Sequence, residues 1–176
     1  MNITILGAGA WGAALAKVLH DNRHEVTLWD KNPPLLAELK QGRSERLLPG
    51  VKLPTGWNTE TDFQTAIAGR EVLVLAIPSQ FFREVATRLK GHQGIFVSVT
   101  KGIEFETGET MSRILREQTS ADNVVALSGP SFAREVAIGI PTTVACASES
   151  DATALAVRPC GPASPSVVTI VPWLSK

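Results

Sequence analysis

Short apolar segments rich in β-branched residues alternate along the chain with segments whose apolar positions recur at helical spacing. Apolar runs of this length favour buried strands, and the helical spacing favours amphipathic helices. The pattern predicts strands at residues 2–6, 25–30, 71–77, 94–100, 123–127 and 142–147. It predicts helices at residues 13–20, 33–41, 61–68, 81–90, 109–118 and 131–137. Residues 42–60 contain Pro49, Gly50, Pro54 and Gly56 and are predicted to form a loop.

The regular alternation of strands and helices predicts an α/β fold with a doubly wound, mostly parallel sheet. Residues 72–77 are apolar at every position, which is typical of a central parallel strand covered on both faces. The length of 176 residues is enough for one domain and a tail. We predict a domain at residues 1–150. Because three prolines fall within residues 158–166, we predict that residues 151–176 form a frayed helix and a poorly ordered tail.

The composition excludes several classes of function. Lys and Arg number 17 and so do Asp and Glu, so the chain has no basic excess for nucleic acid or for an acidic membrane surface. No apolar run approaches the ~20 residues that span a bilayer, and the N-terminus lacks the pattern of a secretory signal. Cys146 and Cys160 have no clustered His beside them, so neither a metal site nor a disulfide framework is expected. These features favour a soluble cytoplasmic protein.

The turn after the first predicted strand has the sequence Gly7-x-Gly9-x-x-Gly12 and leads into a predicted helix. In a dinucleotide-binding unit the first glycine allows the tight turn, the second lets a diphosphate approach the backbone, and the third lets the helix pack on the strand. The N–H groups at the start of such a helix attract phosphate. Asp30 ends the next predicted strand, where such units carry the residue that contacts the ribose. The motif predicts a dinucleotide site; the alternative is a tight turn that binds nothing.

Asp30 and Lys31 bear on the choice between NAD and NADP. A carboxylate at residue 30 accepts hydrogen bonds from the 2′- and 3′-hydroxyls of NAD and repels the 2′-phosphate of NADP. The ammonium of Lys31 is able to pair with that phosphate instead. The sequence therefore leaves both NAD and NADP open. The alternative interpretation is that Asp30 or Lys31 is a solvated charge in a turn and contacts no cofactor.

Two segments that carry polar residues follow predicted parallel strands, at residues 98–102 and 127–133. In open α/β sheets, ligands bind outside the carboxyl ends of the strands, so Lys101 is placed to meet an anionic or carbonyl substrate. Gly129 and Ser131 lie at the start of a predicted helix, whose N–H groups are candidates for binding phosphate together with the Ser131 hydroxyl. The alternatives are a surface lysine at residue 101 and a plain helix cap at Ser131.

Several segments together resemble bacterial NAD(P)-dependent glycerol-3-phosphate dehydrogenases over residues 1–150. They are GAGAWG at residues 7–12, LW at 28–29, IPS at 77–79, TKGIE at 100–104, SGPSFARE at 128–135 and GIPT at 139–142. The TKG and SGPSFA segments, in this order after the glycine turn, are much more specific than the turn itself.

The resemblance implies a Rossmann-like cofactor domain and a reversible hydride transfer, in which NAD(P)H reduces dihydroxyacetone phosphate to sn-glycerol 3-phosphate for phospholipid synthesis. It places Lys101 against both nicotinamide and substrate, Lys31 near the adenosine ribose, and Gly129 and Ser131 against the substrate. With the residues considered above, the expected cofactor contacts are Gly7, Gly9, Ala10, Trp11, Gly12, Asp30, Lys31, Lys101 and Ala133.

One feature of the family has no match in this chain. The family takes its general acid/base lysine and further phosphate-binding groups from a second, helical domain, where a Gly-rich helix carries a Lys-Asn pair. Here the only lysine after Lys101 is Lys176, the final residue. The chain is therefore expected to lack the helical domain, as in a truncated product, and its catalytic residue is unassigned. Cofactor binding is expected to survive better than turnover, because general acid/base catalysis contributes roughly 10²–10⁴-fold.

Three functional hypotheses follow. The first is a glycerol-3-phosphate dehydrogenase represented by its cofactor domain, with a small-molecule substrate; whether it forms a homodimer is left open. The second is a non-catalytic dinucleotide-binding module of the same family. The third is another hydroxyacid or sugar-acid dehydrogenase with a similar N-terminal domain, against which the segment at residues 128–133 speaks.

Overall fold

The computed structural model describes residues 1–157 and the strand at residues 168–170. The strands are β1 Asn2–Leu6, β2 Glu25–Trp29, β3 Asn58–Glu60, β4 Val72–Leu75, β5 Ile95–Ser98, β6 Val124–Ser128, β7 Val144–Ser148 and β8 Val168–Ile170. The helices are α1 Ala10–Asp21, α2 Pro33–Lys40, α3 Phe63–Ile67, α4 Phe82–Thr87, α5 Met111–Thr119, α6 Ala133–Ala137 and α7 Asp151–Val157. A 3-10 turn, Ser79–Phe81, leads into α4.

Within the described residues the strands form one sheet in the order β3-β2-β1-β4-β5-β6-β7-β8. Neighbouring strands are parallel except β6 and β7, which are antiparallel. The chain adds strands on one side of β1 up to β3 and then returns to the other side with β4. In such sheets a crevice opens at this reversal, outside the carboxyl ends of the two strands. The predicted doubly wound, mostly parallel α/β fold is confirmed.

Helices cover both faces of the sheet, and the alternation of β4 shows why its whole sequence is apolar. Val72 and Val74 belong to a buried cluster that includes residues of α1, α2, α6 and α7. Leu73 and Leu75 belong to a second cluster, on the other face, with residues of α3, α4 and α5. Successive side chains of a strand point to opposite faces, so a strand between two helical layers is apolar at every position. The prediction of a central parallel strand here is confirmed.

The structure differs from the sequence prediction at one edge of the sheet. Residues 58–60, predicted as part of a loop, form β3 and pair in parallel with β2. The three residues, Asn58, Thr59 and Glu60, are polar and lie at an edge of the sheet. Since an edge strand of this length needs no apolar pattern, the sequence gives no signal for it.

Helix boundaries also differ from those predicted, and the differences are largest at α1 and at the helix predicted for residues 81–90. Helix α1 begins at Ala10, three residues before the predicted start, so its first turn belongs to the glycine motif. The predicted helix at residues 81–90 is a 3-10 turn followed by the short α4. Both differences fall at helix ends, where pattern is a weak guide.

Two elements of the structure lie in the segment predicted as a tail. Helix α7 packs on the sheet, with Ala154 buried in the core. Strand β8 pairs in parallel with β7. The Pro-rich residues 158–166, predicted to be poorly ordered, lie outside the described residues. In the described part of the chain, no helix has the length and apolar character needed to cross a membrane.

Candidate dinucleotide-binding site

The glycine turn lies between β1 and α1 and is closed by tight backbone contacts. Gly7 has a φ of +103°, a conformation that favours glycine. Its N–H donates to the Trp29 carbonyl at 2.9 Å, and a Cβ built on it would lie 2.5 Å from the Ala76 carbonyl oxygen. The turn is thereby fixed to the ends of both β2 and β4, at the point where the strand order reverses.

Gly12 and Gly9 differ sharply in the space around them. A Cβ on Gly12 would lie 1.9 Å from the Gly7 carbonyl oxygen and 3.4 Å from a side-chain carbon of Ile5. Helix α1 therefore packs directly on the turn and on β1, which confirms the packing role predicted for Gly12. A Cβ on Gly9 would meet no atom within 4 Å. The protein itself does not require glycine at residue 9, so the open space beside it is available to a ligand.

The backbone N–H groups at the start of α1 are not capped by a side chain. Gly9 is the N-cap residue, and no side chain caps the helix. Uncapped N–H groups together with the helix dipole attract an anion. Beside them, the indole N–H of Trp11 is buried and has no hydrogen-bond partner among the described residues.

Asp30 is tied to the glycine turn by its carboxylate. One oxygen accepts a hydrogen bond from the Ala8 N–H at 2.9 Å, and the other accepts one from the Asn32 N–H at 3.0 Å. The side chain thus joins the end of β2 to the turn. It also lines the cleft that opens beside the glycine turn, at the carboxyl ends of β1 and β4. Each oxygen keeps further acceptor capacity for a ribose hydroxyl.

Lys31 crosses the cleft near Asp30. Its Nζ lies 4.9 Å from the centre of the Phe81 ring, in a cation–π contact. Phe81 ends the 3-10 turn that follows β4, so this contact joins the two sides of the cleft. Cation–π contacts at exposed sites contribute only about 0.5–1 kcal/mol, so Lys31 is free to exchange the ring for a phosphate.

The cleft holds about 650 Å³ and runs from the end of β2 to the segment after β5. Of the predicted contacts, seven line it: Gly7, Gly9, Ala10, Trp11, Asp30, Lys31 and Lys101. Sequence reasoning did not single out other lining residues, among them Arg46, Phe81, Arg88 and Thr100. Four basic residues, Lys31, Arg46, Arg88 and Lys101, face two acidic ones, Asp30 and Glu84, which suits an anionic ligand.

Lys101 lies at the far end of the cleft. Its Nζ donates to the Ser131 carbonyl at 2.9 Å and lies 6.0 Å from the centre of the Phe132 ring. Thr100 fixes the adjacent backbone, since its hydroxyl donates to the Ile77 carbonyl at 2.7 Å. The segments that follow β5 and β6 therefore meet, because these two strands are neighbours in the sheet.

Ser131 does not have the position that the sequence predicted. Helix α6 begins at Ala133, with Phe132 as N-cap and no side-chain cap, so the interpretation of Ser131 as a helix cap is wrong. The reason is a tight turn that ends before the helix begins. In this turn the Ser131 N–H donates to the Gly129 carbonyl at 2.9 Å. Ser131 is buried, and its hydroxyl donates to the same carbonyl at 3.4 Å.

Four predicted contacts do not line the cleft. Gly12 lies behind the turn, in the packing of α1 described above. Gly129 is pressed against β7, since a Cβ on it would lie 2.6 Å from the Thr143 carbonyl oxygen. Ala133 lies in the first turn of α6, which packs against α1, and Ser131 adjoins the cleft only through Lys101.

The fold and the cleft together define a dinucleotide-binding domain of the Rossmann type. The cleft opens at the reversal of strand order, the helix start is uncapped, and the space beside Gly9 is open. These three features are those by which such domains bind a dinucleotide.

Comparison with known proteins gives the family. Residues 2–154 match the family model described as the N-terminus of NAD-dependent glycerol-3-phosphate dehydrogenase. The chain belongs to this family, which rejects the third hypothesis of a different hydroxyacid or sugar-acid dehydrogenase.

Individual relatives are also named glycerol-3-phosphate dehydrogenase, and they are longer than this chain. Glycerol-3-phosphate dehydrogenase [NAD(P)+] of Geobacter sp. (strain M21) is 40% identical over 163 residues, which are 89% of this chain and 49% of that protein. The enzyme of the same name from Geobacillus thermodenitrificans is 44% identical over 153 residues, or 84% and 45% of the two chains. The chain thus spans about half the length of the curated relatives it matches.

A solved structure agrees with these relatives. The glycerol-3-phosphate dehydrogenase of Coxiella burnetii superposes with a TM-score of 0.86 at 29% sequence identity. The superposition covers 97% of this chain and 53% of that one.

Proposed function

We propose that this chain supplies the cofactor site and one edge of the substrate site of an NAD(P)-dependent glycerol-3-phosphate dehydrogenase. The reaction is the interconversion of dihydroxyacetone phosphate and sn-glycerol 3-phosphate, a step towards glycerophospholipids. The observation that carries the proposal is the open space at Gly9 beside an uncapped helix start, in a cleft that ends at Lys101. Bound NAD(P)H supplies the hydride that such a reaction requires.

Residues near the glycine turn bind the cofactor in this proposal. The N–H groups of Ala10 and Trp11 donate to the diphosphate, and the Gly9 backbone lies against it. Asp30 accepts from the ribose hydroxyls, which favours NAD, while Lys31 admits NADP by pairing with its 2′-phosphate. The resemblance also assigns a cofactor contact to Ala133, although Ala133 lies at the start of α6 and not in the lining of the cleft.

Lys101 orients the substrate in this proposal. Its ammonium donates to the Ser131 carbonyl with one N–H and has two further N–H groups to offer. One of these is able to polarise the substrate carbonyl beside the nicotinamide, which lowers the barrier to hydride transfer through charge stabilisation and orientation. Ser131, whose carbonyl accepts from Lys101, and Gly129, two residues before it, contact the substrate in the same proposal.

The second candidate is a non-catalytic dinucleotide-binding module. It is favoured by the lining of the cleft, which offers contacts for a dinucleotide, while no side chain in the described part of the chain is assigned as a general acid or base. Both candidates bind NAD(P)H through the same cleft, and only turnover separates them.

The test is NADH oxidation by the 176-residue chain with and without dihydroxyacetone phosphate. Lys101→Ala is the matched variant, because the substitution lies outside the glycine turn and should leave that turn intact. Substrate-dependent oxidation above background that disappears in Lys101→Ala rejects the non-catalytic module. Saturable NADH binding without any oxidation leaves the module as the function of this chain.

A cytoplasmic location and a homodimer are further parts of the proposal. The buried thiol of Cys146 is free, as is usual for proteins of reducing compartments. Size-exclusion chromatography with light scattering tests the homodimer.

A further inference from the structure

Glu104 is a buried carboxylate in an otherwise exposed segment. It lies three residues after Lys101 and is 6% exposed, whereas Phe105, the next residue, is 96% exposed. A carboxylate is expensive to bury unless it is paired, so its partners identify what it holds in place.

Arg83 of α4 is the principal partner of Glu104. Its Nε and Nη2 donate to the two carboxylate oxygens, each at 2.7 Å, in the two-pronged geometry that gives such pairs both strength and direction. A third N–H of Arg83 donates to Glu117 of α5 at 3.0 Å. The Arg83 guanidinium holds the pKa of Glu104 at about 2, with a further contribution from the Thr107 hydroxyl.

The segment from Lys101 to Thr110 is folded around Glu104. Ile103 and Thr110 form a β-bridge, and the backbone of Glu104 bonds to Glu109 and Gly108, each at 2.9 Å. Its carboxylate also accepts from the Thr107 hydroxyl. The backbone bonds close the segment on itself, and the bond to Arg83 attaches that closed unit to α4.

Helix α4 also lines the cofactor cleft, through residues on its other side. Val85 and Glu84 line the cleft. Arg83 instead lines a separate cavity between α4 and α5, where it contacts Glu117. One helix thus contacts the cleft and holds the segment that carries Lys101.

We infer that Arg83 and Glu104 are positioning residues, which hold Lys101 at the end of the cleft through this bidentate pair. The inference rests on the proposed function, because it assigns the pair a role in placing a substrate contact. Loss of the pair removes the side-chain attachment of the closed unit at residues 103–110 to α4, which leaves the backbone at Lys101 less firmly held.

The decisive experiment is a double-mutant cycle of Glu104→Gln and Lys101→Ala in the 176-residue chain. The readout is the affinity for glycerol 3-phosphate at saturating NADH, followed by the fluorescence of bound NADH. We expect at least about a tenfold loss in Lys101→Ala, about a fivefold loss in Glu104→Gln, and no further loss in the double variant. Additive losses, or normal affinity in Glu104→Gln when Lys101→Ala is impaired, overturn the inference.

Two controls separate positioning from general damage. ADP-ribose lacks nicotinamide and reports the glycine turn, so its affinity should be the same in all four proteins of the cycle. Arg113→Gln removes a neighbouring ion pair, in which an exposed arginine contacts Glu109, and should behave like the parent chain.

Arg83→Lys keeps the charge but loses the two-pronged geometry. Its affinity for glycerol 3-phosphate should lie between that of the parent and that of Glu104→Gln.

A second readout needs no cofactor or substrate. Reductive methylation with formaldehyde and cyanoborohydride labels lysines, and mass spectrometry compares Lys101 with the exposed Lys52 of the same molecule. We expect Glu104→Gln to raise the relative labelling of Lys101 at least about twofold, because its bond to Ser131 loosens. Unchanged labelling overturns the inference. A different result overturns the proposed function and not the inference. In that result Glu104→Gln raises the labelling of Lys101 as expected, but the parent chain does not bind glycerol 3-phosphate.

Discussion

The carboxylate of Asp30 accepts a hydrogen bond from the N–H of Ala8 at 2.9 Å, which joins the end of β2 to the middle of the glycine turn. Asp30, the residue proposed to bind the ribose, therefore also stabilises the glycine turn that is proposed to bind the diphosphate. Substitutions at residue 30 should act on both the geometry of the turn and the choice of cofactor.

Asp30→Asn should shift cofactor preference towards NADPH. It removes the negative charge and keeps one amide oxygen that is able to accept from Ala8. We expect the ratio of NADH to NADPH affinity to fall about tenfold, which is about 1.4 kcal/mol, because the 2′-phosphate no longer meets a carboxylate. Titrations with both nucleotides measure this ratio. Asp21→Asn, on the surface of α1, serves as control.

The parent chain supplies a second check on Asp30. A preference of the parent for NADPH over NADH by more than about a hundredfold would show that Asp30 does not face the ribose. An unchanged ratio in Asp30→Asn would lead to the same conclusion.

Lys31→Ala should have the opposite selectivity. Since Lys31 leaves the Phe81 ring to pair with a 2′-phosphate, we expect NADPH affinity to fall about tenfold and NADH affinity by less than about threefold. Calorimetric titration of the two nucleotides distinguishes these losses. Equal losses for both would instead assign Lys31 to a contact that the two cofactors share.

Gly9→Ala and Gly12→Ala should separate binding from folding. A Cβ at residue 9 meets open space and the backbone there suits alanine, so Gly9→Ala should fold and melt near the parent temperature. It should lose NADH affinity at least about tenfold, because the methyl group occupies the place of the diphosphate. A Cβ at residue 12 meets the Gly7 carbonyl, so Gly12→Ala should be strongly destabilised.

Circular dichroism melts and NADH titrations of the two glycine variants make the comparison. Parent-like NADH affinity in a folded Gly9→Ala chain would contradict the assignment of the diphosphate to this turn.

The pair of Glu104 and Arg83 predicts a dependence of stability on acid. Glu104 has a pKa of about 2 in the folded chain, below its ordinary value of 4.5, because Arg83 and then Thr107 donate to the ionised carboxylate. A carboxyl group with a lowered pKa stabilises the fold above its ordinary pKa, and this stabilisation is lost as the pH falls towards the folded value. Glu117 is a further charged group that contacts Arg83.

Urea unfolding of the parent chain and of Glu104→Gln measures this contribution. The parent should have the higher midpoint above pH 4.5, and the difference between the two should shrink as the pH is lowered towards 2. A difference that stays constant over that range would mean that the ionised carboxylate of Glu104 does not stabilise the fold.

Local sequence patterns predicted those parts of the site that are set by residues close together in the chain. The glycine spacing placed Gly7, Gly9 and Gly12 in a strand-to-helix turn, because the constraints on that turn are steric and local. The apolar run of β4 placed the strand between two helical layers, because burial on both faces leaves no polar position.

Contacts between distant residues were not predictable in the same way. Arg46 reaches the cleft from a segment whose proline and glycine content predicts only a loop. Arg83 and Glu104 are 21 residues apart and meet because α4 packs beside the segment after β5. Ser131 was misplaced because a helix start and a tight turn before a helix have similar residues. Such features depend on how elements pack and not on the pattern within any one of them.

Titration of the 176-residue chain with NADH, with the folded Gly9→Ala variant measured in parallel, shows whether the cleft binds a dinucleotide. We expect saturable binding at one site in the parent and a loss of affinity of at least about tenfold in the variant. Absence of saturable binding in the parent, or equal affinity in the two proteins, would contradict the assignment of the cleft as a dinucleotide site.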